Sequence, residues 1–139
     1  MIELDNKTKF LIDEDTLNVI ASSLTNKNIE LIVTNDKEIK EINKQCRNID
    51  KATDVLSFPY EEMPMTPLGS IVISFDHVEL FANKLTHSND DEFNLLFIHG
   101  LLHLLGYDHE VDNGEMRQEE ERLITKFNLP KSLIIRTQG

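Results

Sequence analysis

Short β-branched and apolar runs alternate with helical patterns along the chain, and this alternation limits the possible folds more than any other feature. The runs predict strands within residues 1–12 and at 29–34, 55–58 and 71–74. The helical patterns predict helices after the capping segments 13–16 and 35–36, and over 75–86, 89–105 and 114–127. The proline-bearing segment 61–67 is predicted to be a loop. This order predicts an α/β (α+β) fold, with a small mixed β-sheet of about four strands covered by helices.

The size of the chain predicts one domain over residues 1–139. Its composition, 40% hydrophobic and 28% charged, is typical of a globular protein and excludes a disordered chain. The most apolar run, 95–105, has 11 residues, whereas a membrane span needs about 20, so no membrane helix is predicted. The single cysteine, Cys46, and the acidic first residues, where a signal peptide has basic ones, predict a cytoplasmic location.

The net charge of −11 does not suggest a nucleic acid as partner, because a negatively charged protein repels a polyanion at long range. The second predicted helix differs from this average. Its cationic face, named here the basic stripe, consists of Lys37, Lys40, Lys44 and Arg47. Its apolar face consists of Ile39, Ile42 and Cys46. The thiol of Cys46 is therefore predicted to be buried. Phosphate contacts need a local patch of this kind and not a basic total.

Three of the five histidines fall within residues 99–109, which read HGLLHLLGYDH. Residues four apart share a helix face, so His99 and His103 are predicted to direct imidazole nitrogens at one metal ion. Gly106 is suited to end the helix with a positive φ, so that the chain turns back and His109 reaches the same ion. Three neutral imidazoles with one open position are a common catalytic zinc arrangement, so one Zn²⁺ is predicted in a cleft at the end of this helix.

The same spacing occurs in metzincin proteases, whose motif H-E-x-x-H-x-x-G-x-x-H has a glutamate beside the first histidine. That glutamate is the general base, and Gly100 takes its place here without a side chain to accept a proton. If this chain were a metalloprotease-like hydrolase, it would lack the general base at this position. Such a hydrolase remains a third hypothesis, in which another carboxylate substitutes for the glutamate.

Residues 99–109 resemble the H-G-x-L-H-L-x-G-Y-D-H signature of the YbeY family of bacterial rRNA maturation factors. Residues 47–59, which read RNIDKATDVLSFP, resemble the family's R-x-x-D-x-x-T-D-V-L-S-F-P segment, and residues 68–73 resemble its L-G-D-I stretch. The similarity covers nearly the whole chain. This chain differs at Ser70, where the family usually has aspartate. Any role that the aspartate carboxylate has in the family cannot be carried over to this serine.

The resemblance implies a zinc-dependent, single-strand-specific endoribonuclease that matures the 3′ end of 16S rRNA and takes part in ribosome quality control. It implies that His99, His103 and His109 are the zinc ligands and that Arg47 is the catalytic cation acting on the phosphate. A guanidinium suits this role because it holds phosphate bidentately and stabilises charge that develops in the transition state. The implied partners are single-stranded rRNA and the ribosome or ribosomal proteins.

A second hypothesis is a non-catalytic ribosome assembly factor with a structural zinc, motivated by the net charge of −11. Some supporting residues also have two interpretations. Asp108 either orients an imidazole or is a turn residue, and Asp54 either takes part in catalysis or, as we favour, accepts backbone hydrogen bonds. His77 and His87 are predicted to be surface or capping histidines. One acidic cluster is predicted to be a solvated helix face: Glu110, Asp112, Glu115, Glu119, Glu120 and Glu121.

Overall fold

A computed structural model describes residues 1–130, and it contains one four-stranded mixed sheet with helices on both faces. The strands are β1 (Ile2–Asn6), β2 (Ile29–Thr34), β3 (Val55–Pro59) and β4 (Gly69–Ser74). The helices are α1 (Glu14–Ser22), α2 (Asp36–Arg47), α3 (Phe75–Leu85), α4 (Asn89–Leu104) and α5 (Glu115–Lys126). The predicted fold class is therefore confirmed.

The strand order is β1-β2-β4-β3. β2 pairs in parallel with β1 and with β4, whereas β3 runs antiparallel to β4 and forms one edge of the sheet. The strand β3 extends to Pro59, one residue beyond the prediction, because an edge strand tolerates a residue without an N–H. β4 begins at Gly69, before the β-branched residues that predicted it. The loop predicted over 61–67 lies between these two strands.

Alternate residues of the central strands point into two separate apolar layers. On β4, Ile71 and Ile73 join the larger core, which contains residues of α1, α3, α4 and α5. Val72 points the other way, into a smaller cluster with Ile39 of α2. The sheet is thus covered by α2 on one face and by the other helices on the opposite face, with α4 as the most deeply buried helix.

One prediction about a single residue is wrong: Cys46 is exposed, because α2 turns Ile39 and Asn43 toward the sheet and leaves its last turn in solvent. For His87 the capping alternative holds, since its backbone N–H donates to the Ala82 carbonyl at the end of α3. The surface alternative fails, since its side chain is only 7% exposed and its Nε2 lies 2.8 Å from the buried Glu92 carboxylate. His77 fits the prediction better, since it is partly exposed and pairs with Asp36 near the start of α2.

The structure offers no candidate for a membrane span: in residues 1–130, every helix is too short or too polar to cross a bilayer.

Candidate active site

The end of α4 is built to bring three histidines together. His99 and His103 lie one helical turn apart on α4, and the helix stops immediately afterwards. Gly106 has φ of +98°, the left-handed conformation that glycine adopts at little cost. The N–H of Tyr107 donates to the Leu102 carbonyl and that of Gly106 donates to the His103 carbonyl, the bond pair of a Schellman motif. The predicted glycine turn is therefore confirmed.

This turn carries His109 back to the other two rings. The three histidines each offer a nitrogen, and these nitrogens all lie within 4.8 Å of one another. The ring centroids of His99 and His109 are 5.9 Å apart, and those of His103 and His109 are 6.0 Å apart. His99 and His103 are partly buried, whereas His109 is exposed. The three predicted ligands thus form one cluster that is open to solvent on one side.

The hydrogen bonds of the two helical histidines determine which nitrogen of each faces the cluster. Nδ1 of His99 lies 3.0 Å from Oε1 of Glu120, and Nδ1 of His103 lies 3.0 Å from the carbonyl oxygen of Tyr107. Because both partners are acceptors, each Nδ1 carries a proton and each Nε2 presents a lone pair.

The two Nε2 atoms lie 3.2 Å apart, and two lone pairs at this distance repel each other unless a cation lies between them. Two nitrogens of a tetrahedral zinc site, each bonded at 2.0–2.1 Å, are about 3.4 Å apart. The donor set, its spacing and its tautomers therefore fit a bound zinc ion.

Burial lowers the pKa of His103 below its ordinary value, and the neighbouring His99 ring acts in the same direction. The hydrogen bond to the Tyr107 carbonyl opposes these two effects but is the smaller contribution. The net shift favours the neutral imidazole at neutral pH, which is the form that binds a metal ion.

Glu120 contacts His99 on the side of the ring away from Nε2, and this contact was not predicted from the sequence. The prediction of a solvated acidic face is wrong for this residue, whose side chain is only 1% exposed. Glu120 shares the buried face of α5 with Met116, Leu123 and Ile124. These positions have offsets of 0, 4, 7 and 8, the helical period of an apolar face, and that periodicity was the signal available in the sequence.

Gly100 lies where α4 approaches the sheet closely. A Cβ atom at this position would lie 3.0 Å from Ile71, 3.1 Å from Ser57 and 3.2 Å from Val55. The Ser57 hydroxyl donates a hydrogen bond of 2.9 Å to the Gly100 carbonyl, which holds the helix against β3. The glutamate that a metzincin has beside its first histidine would have to displace these side chains already at its Cβ atom, which argues against the protease hypothesis.

A cleft of about 480 Å³ opens beside the histidines, at the C-terminal end of α4, as predicted. Arg47, the last residue of α2, lines this cleft together with His99 and His103. The remaining wall is formed by the following residues: Thr53, Asp54, Val55, Ser57, Pro59, Gly106, Tyr107 and Asp108. Within residues 1–130, none of the ion pairs involves Arg47.

Asp54 and Asp108 each accept a backbone hydrogen bond beside the cleft. Oδ1 of Asp54 accepts the Val55 N–H at 2.8 Å, which is the backbone role favoured for it, and the residue also lines the cleft. Asp108 accepts the N–H of Glu110 as a turn residue, while the Tyr107 carbonyl is what orients His103. Ser70 is buried on β4 and is not among the residues lining the cleft.

Together, the fold and the site define a class: small α/β proteins with a three-histidine cluster, which could hold a metal ion, beside an open cleft. Comparison with known proteins identifies the family. The model of the family described as endoribonuclease YbeY matches residues 3–128.

Relatives named endoribonuclease YbeY match over the full chain. The one from Sulfurimonas denitrificans is 64% identical over 100% of both chains. The one from Helicobacter pylori strain 26695 is 55% identical over 99% of each chain. A solution structure from Thermotoga maritima has a similar fold, with a TM-score of 0.64, 28% identity, and coverage of 91% of this chain and 89% of its own. The chain therefore belongs to the YbeY family of endoribonucleases.

Proposed function

We propose that the protein is a zinc-dependent, single-strand-specific endoribonuclease that matures the 3′ end of 16S rRNA and takes part in ribosome quality control. It would act in the cytoplasm as one domain over residues 1–139, with the ribosome or ribosomal proteins as further partners. One observation carries the catalytic part of this proposal: three histidine nitrogens within 4.8 Å of one another adjoin a cleft that Arg47 also lines.

The three histidines are the proposed ligands of one Zn²⁺. When bound, zinc would supply a Lewis acid beside the scissile phosphate. His99 and His103 are already oriented by acceptors at their Nδ1 atoms, so little reorganisation is needed for Nε2 to bind. A structural zinc site ordinarily has four protein ligands, whereas this cluster has three and lies beside a cleft. The arrangement therefore favours a catalytic zinc site over a structural one.

Arg47 is the proposed catalytic residue. Its guanidinium can hold two phosphate oxygens at once and stabilise the charge that develops on them during cleavage. Because Arg47 is exposed at the cleft and belongs to none of the ion pairs within residues 1–130, no internal partner needs to be displaced first.

The basic stripe supports RNA as the substrate class. Lys37, Lys40 and Lys44 are all exposed on α2, and the stripe ends at Arg47 on the cleft. Ten residues of helix extend about 15 Å, enough for two or three successive phosphates of one strand. The half-buried position of His103 favours a single strand, because a flexible strand can enter a cleft that a rigid duplex cannot.

The proposal is tested by measuring zinc content and RNA cleavage on three proteins purified identically: wild type, Arg47→Ala and His103→Ala. The substrate is a single-stranded RNA carrying the 16S rRNA 3′ end, with the same sequence as a duplex for comparison. Wild type is expected to hold about one zinc per chain and to cleave only the single strand. Arg47→Ala should keep its zinc and lose about 10²- to 10³-fold in kcat/KM.

His103→Ala should lose both zinc and cleavage. If all three preparations cleave equally, the nuclease belongs to a contaminant and the assembly-factor hypothesis replaces this one. If pure wild type hydrolyses a peptide and not RNA, the protease hypothesis is revived despite the close packing at Gly100.

A further inference from the structure

Glu120 is a buried carboxylate that the proposed mechanism has not used. It projects from α5 into the interior with 1% of its side chain exposed. Its Oε1 lies 3.0 Å from Nδ1 of His99, and its Oε2 is buried with no hydrogen-bond partner among residues 1–130. A buried carboxylate with one oxygen unpartnered costs free energy, so packing alone gives no reason for it.

We propose that Glu120 is a positioning residue for the metal centre, acting through His99 as its outer partner. The inference rests on the metal site of the proposed function. The carboxylate accepts the Nδ1 proton of His99, and this fixes the ring so that its Nε2 lone pair faces the other two histidines. Its negative charge also makes the Nε2 atom a more basic, stronger ligand.

The two helical histidines are held in different ways. His103 donates its Nδ1 proton to a backbone carbonyl, that of Tyr107, which is neutral and is fixed by the turn at the end of α4. His99 alone has a charged partner, and that partner comes from a different helix. The site therefore couples α4 to α5, and the free energy of metal binding depends on a residue 21 positions away in the sequence.

The packing of α5 makes Glu120 a rigid partner. Met116 and Leu123 on the same helix face are fully buried, as is Ile124 to within 1%. Glu120 is buried on the same helix face, and its carboxylate contacts Nδ1 of His99 at 3.0 Å. A carboxylate held this way loses little conformational entropy when the metal ion binds, in contrast to an exposed glutamate.

The test compares wild type, Glu120→Gln and Glu121→Gln. The last is the matched control, because Glu121 lies on the same helix but its side chain is 54% exposed. Zinc affinity is measured by competition with a chromophoric chelator. Thermal unfolding is measured on each metal-free protein, so that metal binding and folding are separated.

Glu120→Gln keeps the shape of the side chain but removes its charge. It is expected to weaken zinc binding by about 10-fold, the lower end of the usual effect of an outer-partner mutation, because the amide oxygen of glutamine can still accept the Nδ1 proton of His99 and only the charge is lost. The stability of the metal-free protein should be close to that of wild type, since glutamine keeps the shape of the side chain and an acceptor for the Nδ1 proton of His99. Glu121→Gln should match wild type in both measurements.

A merely structural role predicts the opposite pattern, a less stable metal-free protein with unchanged zinc affinity, and that result would overturn the proposal. If Glu120→Gln does not fold, the zinc-loaded wild type still provides a test by proton NMR. The Nδ1 proton of His99 should be shifted further downfield than that of His103, because its acceptor is a carboxylate and not a carbonyl. Equal shifts would contradict the proposal. Failure of wild type to bind zinc would instead count against the proposed function itself.

Discussion

At the scale of single residues, the site depends on what each polar side chain faces rather than on its identity alone. Glu120 and Glu121 are adjacent glutamates on one helix, yet one orients a candidate metal ligand from the core and the other is exposed. Likewise, His87 and His99 are both paired with buried glutamates, but only His99 has other imidazoles beside it. A metal site requires the neighbouring imidazoles, because a single imidazole does not hold a metal ion.

The shape of the Arg47 side chain is expected to matter as well as its charge. Arg47→Lys keeps a cation at the cleft but loses the planar fork that holds two phosphate oxygens. Its kcat/KM on single-stranded RNA should therefore lie between those of wild type and Arg47→Ala, with zinc content unchanged. Full activity in the lysine variant would show that a point charge suffices and that the bidentate contact is not used.

Acid should destabilise the metal-free protein through His103. The pKa of this residue lies below its ordinary value of 6.5 in the folded state, chiefly because of burial. As pH falls through 6.5, the unfolded chain takes up a proton before the folded chain does, so the free energy of unfolding decreases until the folded pKa is passed. Above this window His103 contributes no pH dependence.

Urea denaturation of the metal-free protein between pH 5 and 8 measures this effect, and His103→Gln is the reference. The variant should show a smaller decrease of stability toward low pH than wild type. Identical pH profiles for the two proteins would mean that burial does not shift the pKa of His103.

At the scale of elements, helices were more predictable than strand ends. Asn35 caps α2 by accepting the Glu38 N–H, and a capping side chain before an amphipathic run is visible in sequence. The start of β4 at Gly69 was not visible, because pairing with Pro59 of β3 defines it and glycine has no strand preference. Strand order also depends on pairing between distant segments, which no local pattern specifies.

The close approach of α4 to the sheet makes a prediction about Gly100. In Gly100→Ala, the new methyl group would meet Ile71, Ser57 and Val55 at 3.0–3.2 Å. Overpacking of this kind costs about 1–3 kcal/mol, and the better helix propensity of alanine offsets up to about 1 kcal/mol of it. We expect a net loss of stability of up to about 2 kcal/mol, measured by chemical denaturation.

Lys84→Ala on the exposed side of α3 serves as the control for that variant and should change stability by less than about 0.5 kcal/mol. A Gly100→Ala protein more stable than wild type would mean that the helix can move away from the sheet without loss.

At the scale of the whole molecule, the unequal distribution of charge matters more than the total. The net charge of −11 opposes RNA, while the proposed local anchor for RNA is the basic stripe, which ends at the cleft. The three histidines were predictable from spacing because one helix and one glycine turn bring them together. Glu120 and the cleft wall formed by 53–59 come from distant segments, so only the folded structure places them beside the histidines.

The basic stripe should control RNA affinity without affecting zinc. The double variant Lys40→Ala/Lys44→Ala removes two exposed cations that do not line the cleft. It is expected to raise the Kd for single-stranded RNA and to lower the slope of log Kd against log salt by about 1.4, about 0.7 per lost phosphate contact. An unchanged slope would mean that RNA approaches along another surface. The double variant Glu38→Gln/Glu41→Gln removes two negative charges from the same helix. It tests whether a more positive helix lowers the Kd for single-stranded RNA.

The central claim is that the histidine cluster holds the one zinc ion on which RNA cleavage depends. Its most direct test is to strip the metal with a chelator, return zinc in steps, and measure the cleavage rate of single-stranded RNA at each step. The account predicts no cleavage without zinc and a rate that rises linearly and levels off at about one equivalent per chain. Full cleavage by the stripped protein, or no cleavage by protein shown to hold zinc at these histidines, would contradict it.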